Sequence, residues 1–452
     1  MWGDDIVKKP VFLVLTLALL VSLVSLTAFA YSESVTQWAS LVKSKYGGMT
    51  ITAAFATHPV TDAMQEMTAE FTKLTGIKVR WDVMEEGYLR NKLLIEHQGK
   101  TGVYDVLLID AFSLSEYAPA GVAIDLQPFL QNKELTPSWY DYADIMPAYR
   151  DGIGRYKGVI YGIPVAGETR YVGYRKDLFK KYGKEPPKTM EEFLELAKFF
   201  NGREPKLYGI AMRAQKGIHF SSGFMTTMYN NGGQILDQKT WKVLIDSPKT
   251  VKAFKYHIEL LKQGPPDISV YTHEEAVSAF TSGRTAMWFD STALTPWILD
   301  PSKSAVADKV GFVPPPKGEG GAYGALAGWD VGISSDISQK RREAAWAFIV
   351  WMTSKLKAEE FVNLGGTPVR KSIFTNKAMI AKDWTLPIQL ESLERAGNMV
   401  ADGIMWLPPH PKFLKVIESL GSYGSQVLGG QLEAEEALKL AQKECERIMA
   451  EK

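Results

Sequence analysis

Three stretches early in the chain carry apolar residues at strand spacing: MTITAAFA (49–56), IKVRWDVM (77–84) and YDVLLIDAF (104–112). Between them the spacing switches to that of an amphipathic helix. In TDAMQEMTAEFTKLTG (61–76), Met64, Met67, Phe71 and Leu74 fall on one face before a glycine stop, and YLRNKLLIEHQG (88–99) reads as a second helix. The unbroken VLLI of the third strand predicts burial on both faces. Continuous apolar strands joined through helices predict an α/β domain built on a parallel, helix-covered sheet.

A second region of the same kind begins near residue 172. KTMEEFLELAKFF (188–200) opens with a capping box, Thr189 with Glu192, and presents Phe193, Leu196, Ala197 and Phe200 to a core. DSPKTVKAFKYHIELLKQGPP (246–266) has Ser247 as N-cap, Pro248 in the first turn, and Gly264 then Pro265 at the stop. TAMWF (285–289) and WDVGIS (329–334) read as strands, and QKRREAAWAFIVWMTS (339–354) as a helix. SVTQWASLVKSKYGG (34–48) predicts a short helix ahead of the first strand, and EALKLAQKECERIMAEK (436–452) an amphipathic helix at the end.

A chain of 452 residues is too long for one hydrophobic core, so two domains are expected. With 46% hydrophobic and 23% charged residues the chain reads as globular rather than disordered. Lys+Arg 52 against Asp+Glu 51 leaves a net charge of +1, without the clustered basic excess that nucleic acid requires. Lys8 and Lys9 precede an uncharged apolar stretch from Val11 to Phe29, then AFA (28–30) and the polar YSES. That order predicts a signal peptide cleaved after Ala30; an uncleaved membrane anchor is the competing reading, and both export the rest of the chain. No cysteine follows the apolar stretch, which excludes anchoring through a lipidated N-terminal cysteine, and the only cysteine, Cys445, reads as a packed side chain.

Catalytic and metal-binding patterns are missing from the sequence. The six histidines, at 58, 97, 219, 257, 273 and 410, are scattered, and THEEAV (272–277) lacks the second histidine a zinc-protease helix needs. The glycine-rich segment at 318–328 has neither the Lys-Ser/Thr of a phosphate loop nor a helix start behind it. No strand–Gly-x-Ser-x-Gly–helix elbow is present. The expectation is therefore no catalytic residue, no metal and no cofactor. A secreted glycoside hydrolase, which needs only a converging carboxylate pair, stays open as a rival.

Taken in order, AEFTKLTGIKVRW, YDVLLID, YGIPVAGETRYVGYRKDLF, FTSGRTAMWFDSTALTPW, VGFVPPPKGEGG, REAAWAFIVWMTS and GGTPVRKSIF resemble the extracellular solute-binding proteins (family 1), the maltose-binding-like sugar-binding components of ABC importers. The resemblance spans nearly all of residues 49–452. It implies a two-lobed, type II periplasmic-binding fold, each lobe a mostly parallel sheet covered by helices, joined by hinge strands. It also implies a ligand between the lobes, permease subunits as partners, and a monomer in the periplasm or at the cell surface. Three strand-like crossings, YGIPV, TAMWF and the end of FIVWMTS, then divide the chain. Residues 48–167 and 286–352 are expected in one lobe, 168–285 and 353–452 in the other, after a signal peptide (1–30) and a short helix (31–47).

A strand that crosses between lobes surfaces at the cleft, so the polar residues just past it can meet a ligand. Sugar hydroxyls pair with carboxylates and guanidinium groups, and sugar C–H faces rest on aromatic rings. Glu168 and Arg170, beside Thr169, Tyr171 and Tyr174, are candidates on this ground. His58 follows the first strand and Asp110 ends the third. Trp288 belongs to the expected crossing TAMWF and Asp290 and Ser291 follow it, while Trp329 and Asp330 follow the glycine-rich segment. Arg370 and Trp406 complete the candidate set. The expected ligand is a carbohydrate or polyol. A charged solute on the same scaffold remains the alternative, because Arg170 or Arg370 is able to clamp a carboxylate.

Overall fold

The computed structural model describes residues 33–451, and the expected export segment at 1–30 lies outside them. Eleven strands occur among these residues: β1 (Thr50–Ala56), β2 (Lys78–Met84), β3 (Val106–Asp110), β4 (Arg155–Tyr156), β5 (Val159–Ile160), β6 (Ile163–Glu168), β7 (Arg170–Arg175), β8 (Tyr208–Ala211), β9 (Thr285–Ser291), β10 (Val310–Val313) and β11 (Ala327–Ile333). They form two main sheets, β2-β1-β3-β11-β6 and β10-β7-β9-β8, and a hairpin of β4 with β5. All five residues of β3 are buried, as its unbroken apolar run requires, whereas β2 alternates partly and fully exposed positions on the sheet's edge.

The helices begin and end where their caps lie. Pro59–Thr75 starts at His58, turns Met64, Met67 and Phe71 into the core, and stops at Gly76 in the left-handed region (φ 70). Met190–Phe200 carries both halves of the Thr189/Glu192 capping box and buries Phe193, Leu196, Ala197 and Phe200. The helix at 33–46 docks through Trp38, whose ring stacks on Trp351 at 6.0 Å and meets Trp139 edge-on at 5.3 Å. Two large hydrophobic cores result, one around each sheet, as the chain length demands.

Two details depart from expectation. The sheets are mixed rather than mostly parallel: β1 runs parallel to β2 and β3, but β11 is antiparallel to both β3 and β6, and β7 is antiparallel to both β9 and β10. A strand buried on both faces carries no mark of its direction, which is set by the side from which the chain returns.

The first crossing falls within two residues of the expected boundary at 167/168, and the later ones fall elsewhere. The chain passes from the first sheet to the second at Thr169, between β6 and β7. The expected placement of 286–352 in the first lobe fails for β9 and β10, which hydrogen-bond into the second sheet. The return falls between β10 and β11. Residues 353–374 do not join the second core either: Phe361 and Val369 pack in the first. The last crossing lies along the helix Leu386–Ala401, with Leu393 in the first core and Met399 in the second. TAMWF is apolar throughout because both its faces are covered within one lobe, and that pattern is identical to that of a strand spanning two.

Candidate functional site

The charged residues of the cleft stand where strands end. β1 runs into His58, whose Nδ1 accepts the Val60 amide at 3.2 Å and so caps the next helix. That acceptor role leaves the ring proton on Nε2, which lies 3.2 Å from Glu168 Oε1 at the end of β6. β2 runs into Glu85 and Glu86, at the start of the helix Glu86–Gln98. β3 ends in Asp110, whose Oδ1 accepts the Ser113 amide at 2.7 Å. From the other sheet come Arg170 at the start of β7, Asp290 and Ser291 at the end of β9, and Arg213 just past β8. His219 and His273 lie in the first turns of the helices Ile218–Met228 and His273–Thr281.

These groups form one chain of ion pairs across the cleft. Arg90, one turn along from Glu86, donates through Nε to Asp110 and holds Nη2 3.4 Å from Glu86 Oε1. Glu86 Oε1 also lies 3.3 Å from Arg213 Nη1, and Arg213 Nε donates to Asp290 Oδ2 at 2.8 Å. Asp290 in turn receives Arg170, which reaches Ser222 Oγ at 2.8 Å. Ser291 Oγ donates to Glu168 Oε2 at 2.5 Å. The Glu86–Arg213 pair joins the side of the first sheet to the side of the second, as does the Ser291–Glu168 hydrogen bond.

Burial and pairing set the charge states. Burial by itself raises Glu86, but Arg90, His273, Arg213 and His219 outweigh it and hold the carboxyl well below the usual range. Glu168 behaves likewise: burial raises it, and His58, Ser291 and Arg170 bring it below the ordinary value. Burial, then the neighbouring Arg213, brings the Arg170 guanidinium down to about 9, still cationic at neutral pH. Glu86, Glu168 and Arg170 are therefore charged at pH 7.

The groups enclose a small cavity of ≈20 Å3, room for about one water. Its lining holds three carboxylates (Glu86, Asp110, Glu168) and three guanidinium groups (Arg90, Arg170, Arg213), with His58, His273 and Ser291. Phe112, Leu294 and Trp329 supply the apolar wall. A roomier groove of ≈390 Å3 runs past Asp62, Trp297 and Trp384. It is open to solvent, with Trp384 45% exposed, and the buried charge is concentrated in the small cavity instead.

Of the eleven candidates, the structure brings His58, Asp110, Glu168, Arg170, Ser291 and Trp329 together on the cavity. Trp329 reaches it through a β-bulge between Trp329 and Asp330, where β11 shifts register against β6. The bulge needs Gly328 (φ +149), since a Cβ there would lie 2.2 Å from the Ala166 carbonyl. Trp329 packs beside His58, ring centres 5.7 Å apart.

The other five candidates lie outside the lining. Asp290 stands behind it, fully buried, and positions Arg170 and Arg213. Trp288 is a core residue between Tyr171 and Phe280, because both faces of β9 are covered. Asp330 falls on the other side of the bulge, beside Gly154 and Gly162, where burial and then Asp110 raise its carboxyl well above the usual range. Arg370 is 2% exposed and structural, donating to the carbonyls of Thr353 (3.0 Å) and Asp141 (2.7 Å) over the Tyr140 ring. Trp406 packs on Tyr229 in the second core.

The sequence reading missed Glu86, Arg90, Arg213 and His273. The rule that selected His58 and Asp110, the first polar residue past a strand, also selects Glu86 and Arg213. Arg90 needs one further step, four residues along the same helix face.

The profile of the bacterial extracellular solute-binding proteins matches residues 57–356. The erythritol/L-threitol-binding protein of Mycolicibacterium smegmatis is 29% identical over 422 residues, 89% of this chain and 87% of that protein. The mannitol-binding protein of Pseudomonas aeruginosa is 28% identical over 420 residues, covering 89% and 94% of the two chains. The crystal structure of an ABC-transporter solute-binding protein from Agrobacterium radiobacter K84 in complex with ribitol superposes with a TM-score of 0.83 at 31% identity. That match covers 89% of this chain and 99% of the other.

Proposed function

Because this chain belongs to the bacterial extracellular solute-binding proteins, in the two-lobed type II periplasmic-binding fold, we propose that its cleft takes up a small neutral polyol. The lobes close on that polyol, and the loaded protein, an exported monomer, presents it to the permease subunits of an ABC importer. The observation that carries the ligand class is the balance of the lining, three carboxylates against three guanidinium groups. A polyol places a hydroxyl on every carbon, and each hydroxyl both donates to a carboxylate and accepts from a guanidinium. An ionic solute would add a buried charge to a wall already balanced. With only Phe112 and Trp329 as aromatic walls, the lining suits a short acyclic chain better than stacked sugar rings. Relatives named for erythritol, L-threitol and mannitol, and a neighbour holding ribitol, support this reading.

Delivery of intact solute requires no catalysis and no cofactor. The glycosidase rival needs a carboxylic acid protonated near neutral pH. On the lining, Glu86 and Glu168 are displaced the other way, below the ordinary carboxylate range, and Asp330, whose carboxyl is raised, lies outside it. The decisive experiment is a thermal-shift and calorimetric screen of the purified protein against erythritol, ribitol, D-mannitol, maltose, an amino acid and a uronate. A polyol is expected to stabilise the protein by about 2.7 kcal/mol at a hundredfold excess over its dissociation constant. Stabilisation by the amino acid or the uronate, with no response to any polyol, would overturn the proposal.

A further inference from the structure

His273 is 1% exposed and lines the cavity, yet neither ring nitrogen has a hydrogen-bond partner among the described residues. Its Nδ1 lies 3.6 Å from Glu86 Oε2, beyond hydrogen-bonding reach. An imidazole buried with both nitrogens unbonded is costly, so such groups are ordinarily satisfied by a partner. The other imidazole on the lining is used up, since His58 caps a helix through Nδ1 and faces Glu168 through Nε2. We propose that His273 is a specificity-determining ligand contact, reading polyol hydroxyls as a neutral imidazole, so that capture weakens in acid. This rests on the polyol reading of the same cavity.

A neutral imidazole offers one donor and one acceptor, the same pair that a hydroxyl offers in return. The imidazolium offers two donors and no acceptor, and its charge has to be buried. The first residue of a helix is an unfavourable place for a cation, because the exposed amide dipoles point their positive ends at it. The charged and titratable groups facing His273 are Glu86 from the first lobe, Arg213 past β8, His219, His58, and Glu275 on its own helix. Burial dominates: it lowers the ring to about 4, with Arg213, His58 and His219 acting in the same direction and Glu86 against them.

The sign follows from linkage. On this proposal, opening returns the ring to solvent and to the ordinary value near 6.5, against about 4 in the closed cleft. Protons therefore favour the open form at any pH below about 6.5. The loss in affinity is at most tenfold per pH unit for one proton. Relative to pH 8, binding is about tenfold weaker at pH 5.5 and about thirtyfold weaker at pH 5.0.

The test is calorimetric titration of the protein with ribitol and D-mannitol from pH 5.0 to 8.0, on wild type, His273→Ala and His273→Gln. Wild type is expected to show this slope and to release a proton on binding near pH 5.5. His273→Ala loses about tenfold or more at pH 7.5. His273→Gln, which keeps a donor and an acceptor, recovers most of that affinity and binds without the slope. If the alanine variant does not fold, the glutamine variant carries the test through the slope alone. Binding of both polyols to wild type with equal affinity from pH 5.0 to 8.0 overturns this inference and leaves the polyol reading standing, as does an unchanged slope in His273→Gln. No binding of either polyol to wild type at pH 7.5 overturns both.

Discussion

Replacing Glu86 by glutamine asks whether charge drives the cleft shut. In the closed arrangement Glu86 Oε1 lies 3.3 Å from Arg213 Nη1, 3.4 Å from His219 Nδ1 and 3.4 Å from Arg90 Nη2. Arg90 sits on the same helix and keeps Asp110 as a partner whatever the cleft does. Arg213 and His219 come from the facing lobe, so those contacts exist only on closure. At 3.3 Å and an effective dielectric of about 20, Coulomb's law gives about 5 kcal/mol for the Glu86–Arg213 pair. Desolvation of both groups removes much of that, and charged hydrogen bonds retain about 1.5–3 kcal/mol. Glutamine preserves length and hydrogen-bonding capacity but not charge. Affinity for ribitol or D-mannitol is then expected to fall by about ten- to one-hundred-and-fifty-fold. Provided that opening returns Glu86 to solvent, the ligand-free variant should keep its stability within about 0.5 kcal/mol. Calorimetry gives the affinity, and small-angle scattering with and without polyol reports closure. An unchanged dissociation constant together with an unchanged ligand-induced compaction would show that the interlobe pair is not what favours the closed form.

Two further substitutions separate the cleft from its surroundings. Trp329→Ala removes the aromatic wall, a buried side chain only 4% exposed, and should weaken polyol binding by about 1–3 kcal/mol while the protein still folds, judged by calorimetry beside a melting curve. Arg370→Ala should instead leave affinity unchanged and lower thermal stability. It strips the Thr353 and Asp141 carbonyls and Asp144 of a buried donor, at a cost of about 1–3 kcal/mol. A loss of affinity with an unmoved melting temperature would return Arg370 to the cleft.

Local grammar was legible in the sequence. The capping box at Thr189, the N-cap at Ser247 and the apolar face of the helix Pro59–Thr75 all stand where residue spacing puts them. The strand-end rule found His58, Asp110 and Glu168, because in an α/β sheet the polar residue past a strand is delivered to the cleft. What the sequence withheld is which sheet a strand joins. β9 is buried at all seven positions, so its composition is the same whether it spans two lobes or sits inside one, and of the candidates placed around it only Ser291 reaches the lining. Tryptophan and arginine were ambiguous for a related reason. Trp288 and Trp406 serve a core as readily as a cleft, and Arg370 donates to backbone carbonyls that no sequence pattern marks. His273 was invisible because its significance is a lack of partners, which only three-dimensional packing reveals.

The distribution of charge between the lobes bears on selectivity. Sorted by sheet, the lining from the first lobe carries Glu86, Asp110 and Glu168 against Arg90, and the lining from the second carries Arg170 and Arg213. Each wall alone is unbalanced, acidic on one side and basic on the other, and the residual charges meet when the cleft shuts. A neutral polyol inserts its hydroxyls between them without changing that sum. A carboxylate solute would take Arg213 and leave Glu86 buried without its cross-cleft partner; an amine would take Glu86 and strand Arg213. Either way closure loses what it gains from the ligand, since an uncompensated buried charge costs more than one ion pair returns. On the proposed reading, discrimination against ions resides in the way the two walls complete each other, and the proposed His273 contact need only choose among neutral solutes.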